Sequence, residues 1–308
     1  MWRQIHSLPG LIAALLIIVL AISGAWMSVN PALDRLGTTV PTKGQVSVAT
    51  LADQVAQHYP NVEQIQRSPS GSVIVYYSVN GQAGADLVDP MSGRRIGSYA
   101  PSPLTRWVKN LHRSFLADTP GRILAGLSAL AMLVLCVSGM ALLIKRLGGW
   151  RQLIRPVRGN FSQRWHAELG RVVILGLLLS ALTGLYLSAT TFGLVSDGIQ
   201  NEPDFPPVMA QGPAMPIGKT PALLATDLND LRDLVYPPSG DSQGLYSLST
   251  AQGDGYIGQV TGELLSFQPH NGTRKAYELM YQLHTGEGLW WLGLLLGLLF
   301  PWGIGLRL

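Results

Sequence analysis

The chain has 308 residues and a formal net charge of +4, with 47% apolar and only 13% charged residues. A soluble domain carries about 25% charged residues, so the composition excludes an ordinary soluble globular protein and points to a membrane protein. The positive balance is no nucleic-acid signature, because no soluble segment offers a basic face with interleaved aromatics.

The apolar residues are clustered. Runs at 8–29, 121–144, 170–192 and 288–306 carry almost no charge. About 20 helical residues, each rising ~1.5 Å, cross a hydrocarbon core of ~30 Å. The first three runs are long enough. The fourth is short and holds Pro301, Gly303 and Gly305; either it kinks near its end or the natural protein continues past Leu308. The first run also has features of a cleaved leader, with Arg3 before it and Ser23, Gly24 and Ala25 near its end. A leader's apolar stretch is only ~7–15 residues, and this run has a counterpart in mid-chain, so it reads as a span.

Basic residues predict the topology. Lys145, Arg146, Arg151, Arg155, Arg158 and Arg164 lie between the second and third runs, with Glu168 the sole acid there. Short cytoplasmic loops are rich in Lys and Arg, so this segment and the N-terminus are placed inside. The expected division is a span within 1–29, an outer domain over 30–105, and an interfacial segment with a span over 106–146. A cytoplasmic loop over 147–163, a span within 164–193, a second outer domain over 194–279 and a span within 280–308 complete it. The single Cys136 falls in a span and reads as a small packing residue, so disulfides do not hold the outer domains.

The outer segments are too long to be plain loops. In the first, Leu51, Val55 and Tyr59 share one helical face over 48–59. Strands are predicted over 72–79, 85–88 and 94–99, with a hairpin turn at Asn80-Gly81. In the second, a helix is predicted over 222–235, and strands over 245–248, 255–260 and 264–268. The fold class expected is a mainly α membrane protein: four transmembrane helices in two parallel helix–domain–helix repeats, with small α+β outer domains.

An internal repeat underlies that reading. His6-x-x-x-Gly10 matches His166-x-x-x-Gly170, and Ser23-Gly24 matches Thr183-Gly184 at the same distance. Leu111-His112-Arg113 matches Leu283-His284-Thr285. Four of the six histidines thus stand near helix starts, His6 and His166 on the inner side and His112 and His284 on the outer. Neutral imidazole is a common metal ligand, and haem iron takes axial ligands from facing helices. Two haems b, one per face, would connect the two sides. Cations suited to propionates lie close by: Arg3, Arg164 and Arg171 inside, and Lys109, Arg113, Arg122, Arg274 and Lys275 outside. Gly10, Gly126, Gly170, Gly176, Gly293 and Gly297 serve either close helix packing or clearance for a macrocycle. His58 and His270 read as surface residues of the outer segments.

These motifs, with Gly121-Arg122, Leu283-His284-Thr285-Gly286-Glu287 and Asp89-Pro90-x-x-Gly93, resemble the PepSY-associated transmembrane proteins. That group includes bacterial inner-membrane siderophore–iron reductases. The resemblance covers nearly the whole chain. It implies PepSY-like outer domains in the periplasm and two bis-histidine haems b on His6, His166, His112 and His284. It also implies electron flow from a flavin reductase or quinol donor to ferric siderophore or another periplasmic acceptor. No Gly-rich dinucleotide fingerprint is present, so no flavin or NAD site is expected in this chain. His112 departs from the pattern, because Thr119-Pro120 interrupts the path from it into the apolar run and places it on an interfacial helix. The competing function is a non-enzymatic membrane anchor that binds or inhibits a periplasmic partner. A secondary transporter fits less well, since the apolar runs carry no ionisable groups in their middles.

Overall fold

The structure, a computed structural model, describes residues 2–100, 102–206, 210–241, 243–287 and 291. In chain order the helices are α1 (Trp2–Gly37), α2 (Val48–Ala56), α3 (Pro103–Ser114), α4 (Asp118–Leu147), α5 (Phe161–Thr191), α6 (Pro221–Leu224) and α7 (Gly272–Thr285). The strands are β1 (Val62–Arg67), β2 (Val73–Val79), β3 (Gln82–Val88), β4 (Arg95–Ser98), β5 (Leu231–Val235), β6 (Leu245–Thr250), β7 (Gly253–Gly258) and β8 (Leu264–Pro269). Two compact units result. A helical unit comprises Met1–Ala32, Ser102–Asp197 and Ala276–Leu308, and a sheet unit comprises Leu33–Pro101 and Gly198–Lys275.

In the helical unit, Ala13–Gly37, Asp118–Leu147 and Phe161–Thr191 are long and apolar enough to cross a membrane, with mean hydropathies of 2.0, 2.5 and 2.1. Their large apolar side chains stay uncovered by protein: Leu11, Leu15 and Ile22 on α1, Leu127 and Val137 on α4, and Val172 and Leu175 on α5 are all exposed. Water would penalise such faces, and hydrocarbon does not. The fourth predicted span, 288–306, lies outside the described residues apart from Trp291.

The corner between α3 and α4 is tight. Phe115, Leu116 and Asp118 take positive φ of 46°, 63° and 46°, a conformation that costs non-glycine residues energy. A Cβ on Gly121 would lie 1.6 Å from the Ser114 carbonyl oxygen, so only glycine lets α4 start against the end of α3. Pro120 sits in the first turn of α4, where its missing N–H leaves no helical bond unmade.

The sheet unit corrects the expected fold class. In place of two small outer domains, both segments enter one eight-stranded antiparallel sheet of order β4-β3-β2-β1-β5-β6-β7-β8. Among the described residues the protein is half helical, with three candidate spans and this one large sheet in place of small separate outer domains. Each half is a four-stranded meander, and the halves join through their first strands, with Ile65 opposite Leu234. The reason is burial. Val48, Leu51 and Val55 of α2 share one core with Ile65, Val73, Val75 and Val88, and with Leu223, Leu228, Leu231 and Leu234 of the second half. Burying one such side chain contributes about 1.5–3 kcal/mol, and separating the halves would uncover many at once. Backbone bonds cross between the halves reciprocally: Val48 N–H donates to Thr226 and Leu228 N–H to Val46.

The helix predicted over 222–235 is also corrected. Only Pro221–Leu224 is α-helical, a single 3-10 turn follows at Leu228–Asp230, and Leu231–Val235 is strand β5. Leu228, Leu231 and Leu234 are spaced three apart, which imitates a helical face. A register shift between Leu231 and Asp233 instead turns both leucines to the same side of a strand, as a bulge does. Strand β1 was not predicted from sequence, since its polar Glu63, Gln64 and Gln66 hide the alternation. The Asn80-Gly81 turn has both residues at positive φ, 52° and 76°, as a two-residue hairpin requires.

A carboxylate lies within this unit. Asp86 is 3% exposed and its Oδ2 accepts from Tyr59 Oη, Tyr77 Oη and Arg95 Nε at 3.2, 3.2 and 2.9 Å. Asp86→Asn removes the charge-assisted partner and costs about 1–3 kcal/mol, read as a lower Tm of the detergent-purified protein. Burial, then the Asp86 charge, pushes the Tyr59 hydroxyl up to about 12. A phenol raised in the folded state stabilises below its unfolded value of ~10 and loses that contribution as pH climbs. Stability should therefore fall between pH ~10 and ~12, and Tyr59→Phe should flatten that part of a Tm-against-pH curve.

Candidate functional site

The four repeat-related histidines are brought to the helical unit in two pairs. Asn160 caps α5, its side chain accepting from Gln163 N–H, so the helix begins just before Trp165-His166. Ser102 caps α3 through Thr105 N–H, and Pro103 occupies its first turn, fixing the short helix that carries His112. The rings of His6 and His166 have centres 6.0 Å apart, as do those of His112 and His284.

Three of the rings rest in seats of one design. His112 Nδ1 lies 3.0 Å from Ser23 Oγ, His6 Nδ1 lies 3.1 Å from Ser138 Oγ, and His284 Nδ1 lies 2.9 Å from Thr183 Oγ1. The next residue is glycine each time. A Cβ on Gly24, Gly139 or Gly184 would stand 3.0 Å from Cε1 of His112, His6 or His284 respectively, tighter than ordinary van der Waals contact. The glycine makes a slot for the ring, and the hydroxyl beside it orients the ring.

The hydrogen bonds determine the tautomer. Each seat hydroxyl donates to the carbonyl four residues back, Val19, Val134 and Leu179, at 2.6, 2.6 and 2.7 Å. Its oxygen is left to accept, so the imidazole must donate. His112 Nδ1 also lies 3.0 Å from the Leu20 carbonyl, and the Leu135 and Ser180 carbonyls hold the same place for His6 and His284. A carbonyl can only accept. All three rings therefore carry their proton on Nδ1 and present a bare Nε2, the arrangement that second-shell partners impose on metal-binding histidines.

The two pairs are far apart along the helices. Ser23 follows His6 on α1 by 17 positions, and Thr183 follows His166 on α5 by the same 17. At ~1.5 Å per residue that is ~26 Å, close to the ~30 Å of a hydrocarbon core. Seating is also crossed between helices: α1 brings His6 to Ser138 in the second half of α4, and α3, leading into α4, brings His112 to Ser23 in the second half of α1.

The surrounding cations are less uniform. Arg164, Lys109, Arg113 and Arg122 are exposed, and the Arg3 side chain lies outside the described residues. Arg171 is committed to Glu168 and to the Arg155 carbonyl, where it holds the preceding loop. Arg274 stands on α7 ten positions before His284, ~15 Å along the helix, and belongs to the sheet unit. His58 is exposed, and His270 Nε2 lies 3.3 Å from Asp254 Oδ2 in that same unit. Trp165 Nε1, next to His166, is a buried donor without a partner. Among the small residues, Gly10 and Gly126 meet Leu135 and Ser188 of neighbouring helices, which is close packing. Among the described residues no group of three or more His, Cys, Asp or Glu could hold a metal ion.

Sequence reasoning did not assign Ser138-Gly139 to the site, and it read Ser23-Gly24 and Thr183-Gly184 only as marks of the repeat. The signal was there: the hydroxyl–glycine pair recurs within three apolar runs.

The sequence family described as PepSY-associated TM region matches residues 3–306. No curated protein and no solved structure matches. Independently of any ligand, the slots make a prediction. Gly24→Val should push the His112 ring off Ser23 and increase its modification by diethyl pyrocarbonate, measured by peptide mass spectrometry, while His58 modification stays constant.

Proposed function

Since this chain belongs to the PepSY-associated TM region family and is a membrane protein, we propose that it carries electrons across the bilayer through two haems b. One would be held by His6 and His166, the other by His112 and His284. The observation that carries this reading is the matched pair of 6.0 Å ring separations, combined with bare Nε2 atoms on the seated rings.

The distances fit. A metal–imidazole nitrogen bond is about 2 Å and the ring centre lies about 1 Å behind the nitrogen, so two imidazoles sharing one ion have centres about 6 Å apart. The donor set fits as well. Two histidines alone leave zinc short of its usual four ligands, whereas haem brings four nitrogens of its own and needs only the axial pair. Trp165 Nε1 supports the same reading, as a buried donor awaiting an acceptor beside His166.

Bound there, haem supplies a one-electron carrier near each membrane face. The protein's own groups do the rest. Ser23, Ser138 and Thr183 fix ring rotation and hold the Nδ1 proton, which makes Nε2 a better donor. Gly24, Gly139 and Gly184 admit the ring to the helix backbone. Arg164 and Arg113, beside His166 and His112 in sequence, supply positive charge for propionates. We place the basic segment before α5 in the cytoplasm and the sheet unit outside, in the periplasm of a bacterial inner membrane. Ferric siderophore or a related iron chelate is the acceptor that the family resemblance supports, with a flavin reductase or quinol as donor.

One observation favours the anchor reading instead. Edge strand β8 exposes Leu264, Leu265 and Phe267, and an open edge can add a partner strand. A dithionite-reduced-minus-oxidised spectrum separates the two. The conduit predicts low-spin b-type bands near two haems per chain. His6→Ala or His166→Ala should lose one haem and spare the other, and His112→Ala or His284→Ala the reverse. A colourless protein from haem-replete cells would remove the conduit and leave the anchor, and variants that keep both haems would remove the ligand assignment.

A further inference from the structure

Away from the histidines, the sheet unit gathers three arginines at one end of its central strands. Arg67 ends β1 and is 7% exposed. The pairing of Gln66 with Asp233 leaves Arg67 near Arg232, which sits at the β5 irregularity between Leu231 and Asp233, close enough for the two charges to repel. Arg35, in the last turn of α1, joins them from the side: its Nη1 would lie 3.3 Å from a Cβ on Gly71. Gly71 lies in the turn that joins β1 to β2, where Arg67 pairs with Val73.

The acids nearby do not neutralise this cluster. Asp230 is engaged by Lys43 at 3.8 Å. Asp227 accepts from the Gly44 and Asn229 N–H groups. Arg67 itself donates to Asn229, through the backbone carbonyl at 3.0 Å and Oδ1 at 2.9 Å, both uncharged acceptors. Four cations (Arg35, Lys43, Arg67, Arg232) therefore meet two carboxylates. Burial first, then the Arg232 and Arg35 charges, lower the Arg67 guanidinium to about 10, the direction expected where positive charge lacks an adequate counterion. Hydroxyls line the same turn: Ser70 and Ser72 are 6% and 7% exposed, Ser68 Oγ lies 2.7 Å from Ser70 Oγ, and Thr38 Oγ1 lies 3.2 Å from Ser72 Oγ.

We propose that Arg35, Arg67 and Arg232, with the Ser68–Ser72 turn, form a binding site for a phosphate group. Converging guanidinium forks match tetrahedral oxyanions, and hydroxyls can rotate to donate to the remaining oxygens. The phosphate has two sources. Arg35 ends a candidate membrane span, Ala13–Gly37, where an anionic lipid headgroup is at hand, and a free or organic phosphate offers the same chemistry. The site is independent of the haem reading.

The test is thermal unfolding of the detergent-purified full chain titrated with inorganic phosphate, against potassium chloride at equal ionic strength. A free-phosphate site raises Tm by roughly 5 °C near saturation. A lipid site instead gives that rise in nanodiscs containing phosphatidylglycerol over phosphatidylcholine alone. In either case Arg35→Gln and Arg232→Gln abolish the response, and both variants match or exceed the wild-type Tm without anion, because repulsion is relieved. A Tm unmoved by either source, or moved equally in the variants, overturns the site. So does a marked loss of Tm in both variants without anion, which would make the arginines structural.

Discussion

The hydrogen bond from an imidazole Nδ1–H into a hydroxyl–carbonyl seat on a facing helix orders the helical unit. Helices in a bilayer gain little from hydrophobic contact with one another, so close packing and polar links must hold them. Here each link does two things. It ties two helices at a set height, and it fixes the rotation of the histidine and leaves Nε2 unprotonated. The hydroxyl is itself anchored, donating to the carbonyl one turn back, so it has one lone-pair role left to play. The glycine that follows is a steric consequence, since a methyl group would meet the ring at 3.0 Å.

Seats at 17-residue offsets make the arrangement span-like. A ring at the start of α1 and a seat 17 positions on are ~26 Å apart, and the crossed seating ties α1 and α4 at two heights. The strained corner at Phe115, Leu116 and Asp118 follows from the same demand. His112 must approach α1 from a separate amphipathic helix, and α4 must then start almost on top of Ser114. Gly121 and three residues at positive φ are the local cost of that turn, and such strain persists only where surrounding contacts over-determine it.

The sheet unit obeys a different constraint. Each four-stranded half alone would leave a first strand uncovered, with Ile65 on β1 and Leu231 and Leu234 on β5 exposed, side chains that are fully buried in the joined sheet. Neither half closes its core alone. Pairing β1 with β5 removes two open edges and merges the cores in one step. The junction has a consequence at its end, where Arg67 and Arg232 come near each other. Neither half contains that cluster; it exists because the two halves pair.

Much of this was legible from the residues alone. Low charge and clustered apolar runs require a membrane, because only hydrocarbon tolerates faces like those of α1, α4 and α5. The repeat pointed to His6, His112, His166 and His284 by matching position, and Asn80-Gly81 named its turn because few residues adopt positive φ twice in succession. The family was legible too, in the strings around those histidines. Local pattern failed where a contact partner was distant in sequence. The spacing of Leu228, Leu231 and Leu234 looks helical until a bulge and the strand from the first half claim those side chains. Ser138-Gly139 is an unremarkable pair in an apolar run until His6, 132 positions away, is laid against it. Pairing between β1 and β5 spans about 170 residues, and no local propensity encodes it. The sequence by itself determined the membrane as solvent and singled out the four repeat-related histidines, because burial and chemistry are properties of side chains. Only the tertiary structure decided which rings face each other and how the two halves share one core, because those depend on long-range complementarity of shape.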